Sequence, residues 1–152
     1  MATQYTRLLQ FYQQFEKFYT HQFSSFLDRT GLSIREAHIL LFLANNPEYD
    51  TARDITTFRG MSKSQVSQAV ELLAAEGLLL RAPDTTDRRV VHLSISPDGQ
   101  PLAKECQAIQ EHCAARLLSG LSPEQILQLK VLLETVLDNG ARLAEEAVSW
   151  QE

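Results

Sequence analysis

The chain has 152 residues, of which 44% are hydrophobic and 22% are charged, and its formal net charge is −5. This length suits one domain or one compact subunit of an oligomer, and the hydrophobic content excludes an intrinsically disordered chain. No apolar run is long enough to span a membrane. Residues 1–5 lack the charged segment and apolar stretch of a secretory signal, so we expect a cytoplasmic protein.

The predicted elements begin with a helix over residues 3–28, in which Leu8, Phe11, Phe15 and Phe26 recur at helical spacing. Three further helices are predicted by capping boxes, in which a Ser or Thr precedes an acidic or amide side chain by three residues. They run from residue 33 to about 44, from 51 to 60, and from 62 to 77. The boxes are Ser33 with Glu36, Thr51 with Asp54, and Ser62 with Gln65.

A two-stranded hairpin is predicted next. Residues 78–80 form one short apolar run, and Val91, Leu93 and Ile95 alternate with polar neighbours in the other. The turn between them carries Arg88 and Arg89 at its tip. A helix-turn-helix followed by a hairpin with a basic tip is a winged helix, a form that binds DNA.

Two helices complete the chain. Ser96-Pro97 and Ser122-Pro123 each resemble an N-cap followed by proline at the first helical position. The first start predicts a helix that ends at Gly120. The second predicts a helix that ends near residue 148, with a break or kink near Asn139-Gly140. The fold class is therefore mainly α (α+β), a winged helix-turn-helix with a two-stranded wing in a single domain over residues 1–152.

The winged-helix core needs only residues 33–95. The flanking helices, at 3–28 and 97–148, carry apolar faces that one small domain cannot cover, and burying such faces is favourable at about 25 cal/mol per Å². Two subunits that pair these helices would bury them. We therefore expect a homodimer held by N- and C-terminal dimerisation helices.

The second helix of a helix-turn-helix places its N-terminal, outward side chains in the major groove. Gln pairs with adenine, Ser reaches several bases, and Lys suits a phosphate. The alternative is an ordinary solvated helix face. The candidate DNA-binding residues on this helix are Ser62, Lys63, Ser64, Gln65, Ser67 and Gln68.

At the hairpin tip an arginine is suited to the narrow, electronegative minor groove, and Asp87 can orient its guanidinium. The alternative is a surface salt bridge that stabilises the turn. Residues 51–92 contain six basic and five acidic side chains, a net charge of +1 within a chain of net −5. This distribution permits DNA binding but predicts weaker non-specific affinity than a basic protein would have.

These residues strongly resemble the MarR family of bacterial transcription regulators. The family's recognition-helix phrase corresponds to residues 62–67 (SKSQVS), and its glutamate-glycine-leucine motif corresponds to residues 76–78. Its wing signature corresponds to Asp87-Arg88-Arg89 followed by alternating apolar residues, Ser96 and Gly99. The order of helices around the wing also fits, so the resemblance covers nearly the whole chain.

The resemblance implies that Arg89 enters the minor groove, that Asp87 orients it and that Arg88 supports contact with the backbone. Many members have arginine where this chain has Gln68, which leaves sequence preference open. We expect a repressor that binds a near-palindromic operator on double-stranded DNA as a homodimer. A protein-interaction module that uses the winged helix without DNA is the alternative, and the overall negative charge would suit it.

Members of the family often bind a small aromatic effector between the dimerisation helices and the winged core; others sense oxidants through cysteine, and a few sense zinc. In this chain the candidate pocket residues are Tyr12, Phe15, Tyr19, His38 and Phe42, although such a stripe is more often plain core. Cys106 and Cys113 lie on the apolar face of one predicted helix, where buried, inert thiols are the default.

No cofactor is expected. His38, Cys106, His112 and Cys113 match no compact metal-ligand spacing, so no metal site is predicted. The chain also lacks a P-loop, GxGxxG, GxSxG or HExxH motif, and its histidines are scattered. We therefore do not expect an enzyme.

Overall fold

The computed structural model describes residues 3–149. Within that range the chain forms seven helices and two strands. The helices are α1 (Gln4–Gln22), α2 (Ser24–Thr30), α3 (Ile34–Asn45), α4 (Ala52–Arg59), α5 (Lys63–Ala75), α6 (Gln100–Leu117) and α7 (Pro123–Ser149). The strands β1 (Leu79–Pro83) and β2 (Val91–Ile95) form an antiparallel sheet between α5 and α6. The predicted fold class, mainly α with a two-stranded wing after a helix-turn-helix, is confirmed.

The N-terminal segment forms two helices, so the prediction of a single helix over residues 3–28 is wrong. Phe23 separates them: its amide donates to the Thr20 carbonyl at 3.1 Å, and the Ser24 hydroxyl donates to the His21 carbonyl at 2.8 Å. The helical ladder therefore tightens at this point. The turn places Phe23 and Phe26 in the core, where they are 0% and 2% exposed.

All three predicted capping boxes are present, each with both of its hydrogen bonds. They begin α3, α4 and α5 at Ser33, Thr51 and Ser62. Gly60 closes α4 with a φ of 63°, a left-handed conformation that glycine adopts without strain. Because each box satisfies backbone amides that a helix start leaves unpaired, these short helices have defined first turns.

The core of the winged region lies where α3, α4, α5 and the sheet meet. α3 contributes a nearly continuous buried run, because it is surrounded by other elements and has no wide solvent face. Leu79 and Leu93 cover this core from the sheet and are 2% and 5% exposed. The side chains that are completely buried in this cluster include Ile39, Leu40, Ile55, Val66 and Leu73.

The sheet pairs Leu79 with Ile95 at its base and Pro83 with Val91 near its tip. A third segment joins its edge: the Leu93 amide donates to the Asp50 carbonyl at 2.8 Å, and Thr51 forms a β-bridge with His92. The wing is thereby attached to the residues immediately before α4.

α6 begins at Gln100, so the prediction that Pro97 is its first residue is wrong, whereas the capping bond predicted for Ser96 is present. Ser96 is 3% exposed, and its hydroxyl donates to the Gly77 carbonyl at 2.6 Å while accepting from the Gly99 amide at 3.0 Å. Residues 97–99 form a turn because Ser96 is held against the end of α5. The other predicted start is confirmed, since the Ser122 hydroxyl accepts from the Gln125 amide at 3.2 Å ahead of α7.

α7 continues as one helix across Asn139 and Gly140, so the suggested break does not occur within Pro123–Ser149. The described residues form two compact units, one ending at Cys113 and the other starting at Ala114, with α6 running through the boundary. A single domain over residues 1–152 remains a prediction. No helix in the range 3–149 is long and apolar enough to cross a membrane.

Candidate nucleic-acid interface

The N-terminal end of α5 presents a polar surface to solvent. Ser62, Lys63 and Ser64 are exposed at its start, and Ser67 and Gln68 are exposed one turn later. The Ser62 and Ser64 hydroxyls lie 3.1 Å apart and share a hydrogen bond. On the opposite side Val66 and Ala69 are buried, so the helix faces of the sequence prediction are correct. This surface combines hydroxyl, amide and ammonium groups, the chemistry that meets base edges and phosphates.

Gln65 differs from the other residues of this set because it is half-buried and already engaged. Its Oε1 accepts from the Ser62 amide at 3.0 Å as part of the capping box. The side chain therefore holds the first turn of α5 in place, and its carbonyl oxygen is committed before any ligand arrives.

The wing tip is exposed and carries Asp87, Arg88 and Arg89. Asp87 Oδ1 accepts from the backbone amide of Arg89 at 3.0 Å. In this conformation the aspartate shapes the backbone of the turn, whereas the sequence suggested a bond to the guanidinium. Two arginine side chains consequently project from a turn whose backbone is held by hydrogen bonds.

Asp84, which sequence reasoning missed, organises the same turn. Its Oδ2 accepts from the Thr86 amide at 2.9 Å, the Thr86 hydroxyl at 2.7 Å and the Asp87 amide at 2.9 Å. Its Oδ1 meets the His92 ring at 2.8 Å. The bond to His92, followed by those to Asp87 and Thr86, holds the pKa of Asp84 well below its ordinary value. The available signal was the sequence Pro83-Asp84 before a threonine, which is typical of an Asx turn.

One surface groove is lined by two cationic side chains. It has a volume of about 620 Å³ and lies between α4 and the start of α5. Arg53 and Lys63 line it together with Ala52, Thr56 and Thr57. Arg53 was not a candidate from the sequence, since an isolated arginine on a short helix gives no signal of its own. Paired with Lys63, it makes a cationic edge suited to a phosphate.

The predicted effector residues are only partly brought together. The rings of Phe15 and Tyr19 lie 5.9 Å apart, and those of Tyr19 and His38 lie 5.8 Å apart. Phe42 stacks on Phe58 at 6.1 Å, and Tyr12 is 67% exposed. Phe15, Tyr19 and His38 thus form a continuous aromatic cluster at the junction of α1 and α3, which we call the α1–α3 cluster.

His38 is the polar member of the α1–α3 cluster. Its Nε2 is buried without a hydrogen-bond partner among the described residues. Burial, followed by the charge of Arg59, lowers the pKa of His38 to about 4. The ring is therefore neutral at physiological pH, and one nitrogen can donate or accept a hydrogen bond. Burial likewise raises the pKa of Tyr19, so its hydroxyl remains protonated.

The two cysteines are buried and are not joined in a disulfide, being 0% and 1% exposed at Cys106 and Cys113. Burial, followed by the charge of Glu105, raises the pKa of Cys106 to about 12. A thiol with so high a pKa is a poor nucleophile, which weakens the case for oxidant sensing at Cys106. Within residues 3–149 no cluster of His, Cys, Asp and Glu is arranged to hold a metal ion.

Comparisons with known proteins agree with this architecture. The family model described as "MarR family" matches residues 30–90, which span α3 to the wing tip. The HTH-type transcriptional repressor IacR of Pseudomonas putida is 26% identical over 121 residues, covering 80% of this chain and 72% of that protein.

Two solved structures show the same fold. One is BpsR of Bordetella bronchiseptica, whose DNA binding is regulated by 6-hydroxynicotinic acid. It matches with a TM-score of 0.65 and 21% sequence identity, and the match covers 86% of this chain and 98% of BpsR. The other is a DNA complex of MepR from S. aureus. It matches with a TM-score of 0.67 and 21% sequence identity, and the match covers 91% of this chain and 99% of MepR. Over residues 30–90, which contain the helix-turn-helix and the wing tip, the chain is therefore similar to the MarR family of transcription regulators.

Proposed function

We propose that the protein is a transcription repressor that binds a near-palindromic operator on double-stranded DNA as a homodimer. The observation that carries this proposal is the pairing of two exposed DNA-suited surfaces on one helix-turn-helix and wing: the polar start of α5 and the Arg88-Arg89 tip. A winged helix that binds only proteins has no need for that basic tip. Repression is favoured by the relative IacR, which is a repressor.

In the proposed complex α5 lies in the major groove. We assign Ser64, Ser67 and Gln68 to the base edges, because they are exposed on the first two turns. Lys63 and Arg53 line one groove, so we assign them to the phosphate backbone. Ser62 and Gln65 hold the start of the helix through their capping box, which makes them supports for the other contacts.

The wing contributes the second contact. We assign Arg89 to the minor groove, where the potential of A·T-rich DNA attracts a guanidinium, and Arg88 to the adjacent backbone. Asp87 already shapes the turn through the Arg89 amide, and its second oxygen can meet the guanidinium once DNA fixes the side chain. The wing turn thus needs little ordering on binding, which reduces the entropic cost of the contact.

Dimerisation is supported by unburied apolar surface. α1 has no buried residue, and its apolar side chains Tyr5, Leu8 and Leu9 are 83%, 64% and 70% exposed. α7 exposes Leu132, at 66%, and Val136, at 63%. Contiguous apolar surface of this kind marks an interaction site, and a second copy of the same chain buries both faces symmetrically.

We further propose that a small aromatic effector binds at the α1–α3 cluster. His38 offers an unpartnered, neutral ring nitrogen beside Tyr19 and Phe15, so the cluster suits a planar ligand with one polar substituent. The regulation of BpsR by 6-hydroxynicotinic acid provides a precedent in a protein of the same fold. Tyr12 and Phe42 remain candidate residues at the edge of such a site.

The test of DNA binding begins with selection of duplexes from a random library, followed by affinity measurements at several salt concentrations. Arg89→Ala should cost about 1–3 kcal/mol on the selected site, with the loss concentrated where the wing position is A·T-rich. Lys63→Ala should weaken all duplexes about equally and reduce the salt slope by about one. Half-sites should repeat about one DNA turn (~10 bp) apart.

Lys104→Ala is the matched control, because it removes one exposed positive charge from α6, outside the helix-turn-helix and the wing. It should leave affinity for the selected duplex unchanged. If Arg89→Ala binds the selected duplex as tightly as the wild type, the assignment of Arg89 to the minor groove is wrong. If no duplex is selected at all, the protein-interaction alternative replaces the proposal.

A further inference from the structure

His92, on the strand β2, lies between two carboxylates from different parts of the chain. Its Nδ1 is 2.8 Å from Asp50 Oδ1, and its Nε2 is 2.8 Å from Asp84 Oδ1. The three side chains are partly shielded, with exposed fractions of 39% for His92, 33% for Asp50 and 23% for Asp84. We call this arrangement the His92 bridge.

The chemistry of the His92 bridge depends on the protonation of the ring. An ionised carboxylate only accepts hydrogen bonds, so both ring nitrogens must carry protons for both contacts to be hydrogen bonds. A neutral imidazole has one N–H and would turn a lone pair towards the second carboxylate. The bonds to Asp50 and then Asp84 accordingly raise the pKa of His92 above its ordinary value of 6.5.

Other charged groups near the strand are occupied elsewhere or lie outside this bridge. Glu36 accepts from the Ser33 amide, and Asp54 accepts from the amide and hydroxyl of Thr51. Arg81 opposes Leu93 in the sheet register. The shift of the His92 pKa arises from Asp50 and Asp84. The remaining titratable or charged side chains on α3 and α4, which pack against β2, are Arg35, His38, Arg53 and Arg59.

The bridge connects three segments that DNA binding must keep in register. Asp50 lies just before α4, the first helix of the helix-turn-helix, and its carbonyl also accepts from the Leu93 amide. Asp84 organises the turn that carries Arg88 and Arg89. An isolated two-stranded hairpin is only marginally stable in water, so an attachment near its tip has a large effect on its position.

We propose that doubly protonated His92 is a positioning residue that fastens the wing tip to the segment before α4, so that DNA affinity falls as the ring loses a proton. This inference rests on the proposed function, because it concerns how the wing is presented to DNA. Deprotonation breaks one of two charge-assisted bonds and leaves a carboxylate facing a lone pair. The wing then samples more positions, and DNA binding must restrict it to the position that contacts DNA, which lowers the affinity.

The sign of the effect on stability follows from the raised pKa of His92. Below pH 6.5, the pKa of histidine in the unfolded chain, the His92 bridge stabilises the fold fully. This stabilisation is lost as the pH rises through the higher pKa of His92 in the folded protein. DNA binding should therefore weaken as the pH rises above the ordinary value of 6.5. Ordinary phosphate contacts by Lys and Arg do not titrate there.

The first measurement needs no DNA. Titration of the ring by NMR in the intact protein should give His92 a pKa above that of free histidine, with both ring nitrogens protonated below that pKa. Asp50→Asn should lower that pKa, because one carboxylate is replaced by a neutral amide. A His92 pKa at or below the ordinary value, or one unaffected by Asp50→Asn, overturns the proposal.

The second measurement follows affinity for a selected duplex at constant salt from about pH 6 to about pH 8.5. Wild-type affinity should fall about three- to tenfold over this range. His92→Gln should be weak and nearly flat across it, whereas Asp50→Asn should move the midpoint to lower pH. His112→Gln, which removes an exposed histidine on α6, should retain the wild-type profile.

These outcomes separate the possible errors. Circular dichroism tests whether His92→Gln folds, and Asp50→Asn provides an independent variant if it does not. A wild-type protein that selects no duplex at any pH overturns both the proposed function and this inference. A wild-type affinity that is independent of pH, or a pH profile that persists in folded His92→Gln, overturns only the role of His92. A profile with the same midpoint in Asp50→Asn also overturns it, because it would indicate direct contact of His92 with phosphate.

Discussion

Gly99 lies where the backbone after the wing approaches the end of α5. A Cβ placed on it would be 2.3 Å from the Leu78 carbonyl oxygen and 2.9 Å from Ile95 Cγ2. The Leu78 carbonyl also accepts from the Ser96 amide at 3.0 Å, so it cannot move away without weakening that bond. This close approach is the physical reason for a glycine after the wing.

Gly99→Ala should lower the free energy of unfolding by about 1–3 kcal/mol, because the added methyl group overpacks a contact with backbone atoms. The measurement is urea denaturation monitored by circular dichroism. Gly140→Ala is the matched control, since a Cβ on this α7 residue meets nothing within 4 Å. There the same change should stabilise the protein by about 0.5–1 kcal/mol. Equal stability of Gly99→Ala and the wild type would contradict the packing argument.

At the scale of elements, the features that could be predicted from sequence are those determined by neighbours in the chain. Ser33, Thr51 and Ser62 cap helices through bonds to residues three positions away, so their boxes were recognisable. The Ser96 hydroxyl makes the same local bond, from the Gly99 amide, but it also donates to the Gly77 carbonyl, nineteen residues earlier. Phe23 likewise interrupts a helical pattern because the core accepts its ring. Contacts with such distant partners produce no sequence pattern at the spacing of a helix or strand.

The same distinction explains which parts of the candidate site were recognised. Lys63, Arg88 and Arg89 belong to contiguous motifs with a helix start or a turn beside them. Asp50, Asp84 and His92 are separated by up to 42 positions and are joined only by folding. Arg53 gains its significance from Lys63, its neighbour across a groove. Sequence patterns therefore indicated the candidate DNA-binding surface, whereas the contacts that support it could be recognised only in the folded structure.

α7 provides a prediction at the scale of elements. Leu129, Leu132, Val136 and Leu143 recur at the spacing of one helix face and are 41%, 66%, 63% and 55% exposed. If this face pairs with a second copy, Leu132→Glu with Val136→Glu should convert a micromolar dimer into a monomer, because each carboxylate would be buried without a partner. Analytical ultracentrifugation provides the measurement.

Leu80→Glu is the control for this variant, since Leu80 is 52% exposed on β1 of the wing. It changes a similarly exposed leucine to the same residue away from α7, and it should leave the dimer intact. A wild-type chain that sediments as a monomer at micromolar concentration contradicts the proposed assembly. A doubly substituted chain that remains dimeric contradicts the assignment of this face.

At the scale of the whole molecule, the proposed dimer must bring two copies of α5 and two wings to one DNA duplex together. Their spacing is a property of the dimer, so a ligand can weaken DNA binding without touching DNA if it prefers a dimer with a different spacing. The α1–α3 cluster is suited to this role because its aromatic contacts connect α1, which carries exposed apolar surface, with α3 of the winged core. A differential affinity of about 1–3 kcal/mol would release the operator by roughly 5- to 150-fold.

Thermodynamic linkage makes this form of control measurable. A panel of hydroxylated aromatic acids that includes 6-hydroxynicotinic acid can be screened for binding by thermal shift. Any compound that releases the selected duplex should itself bind more weakly, by the same factor, when that duplex is present. His38→Phe should reduce its affinity about tenfold, because the ring is kept while the unpartnered Nε2 is removed. Equal ligand affinities with and without DNA would show that the compound is not the signal, and undiminished binding to His38→Phe would place its site away from the α1–α3 cluster.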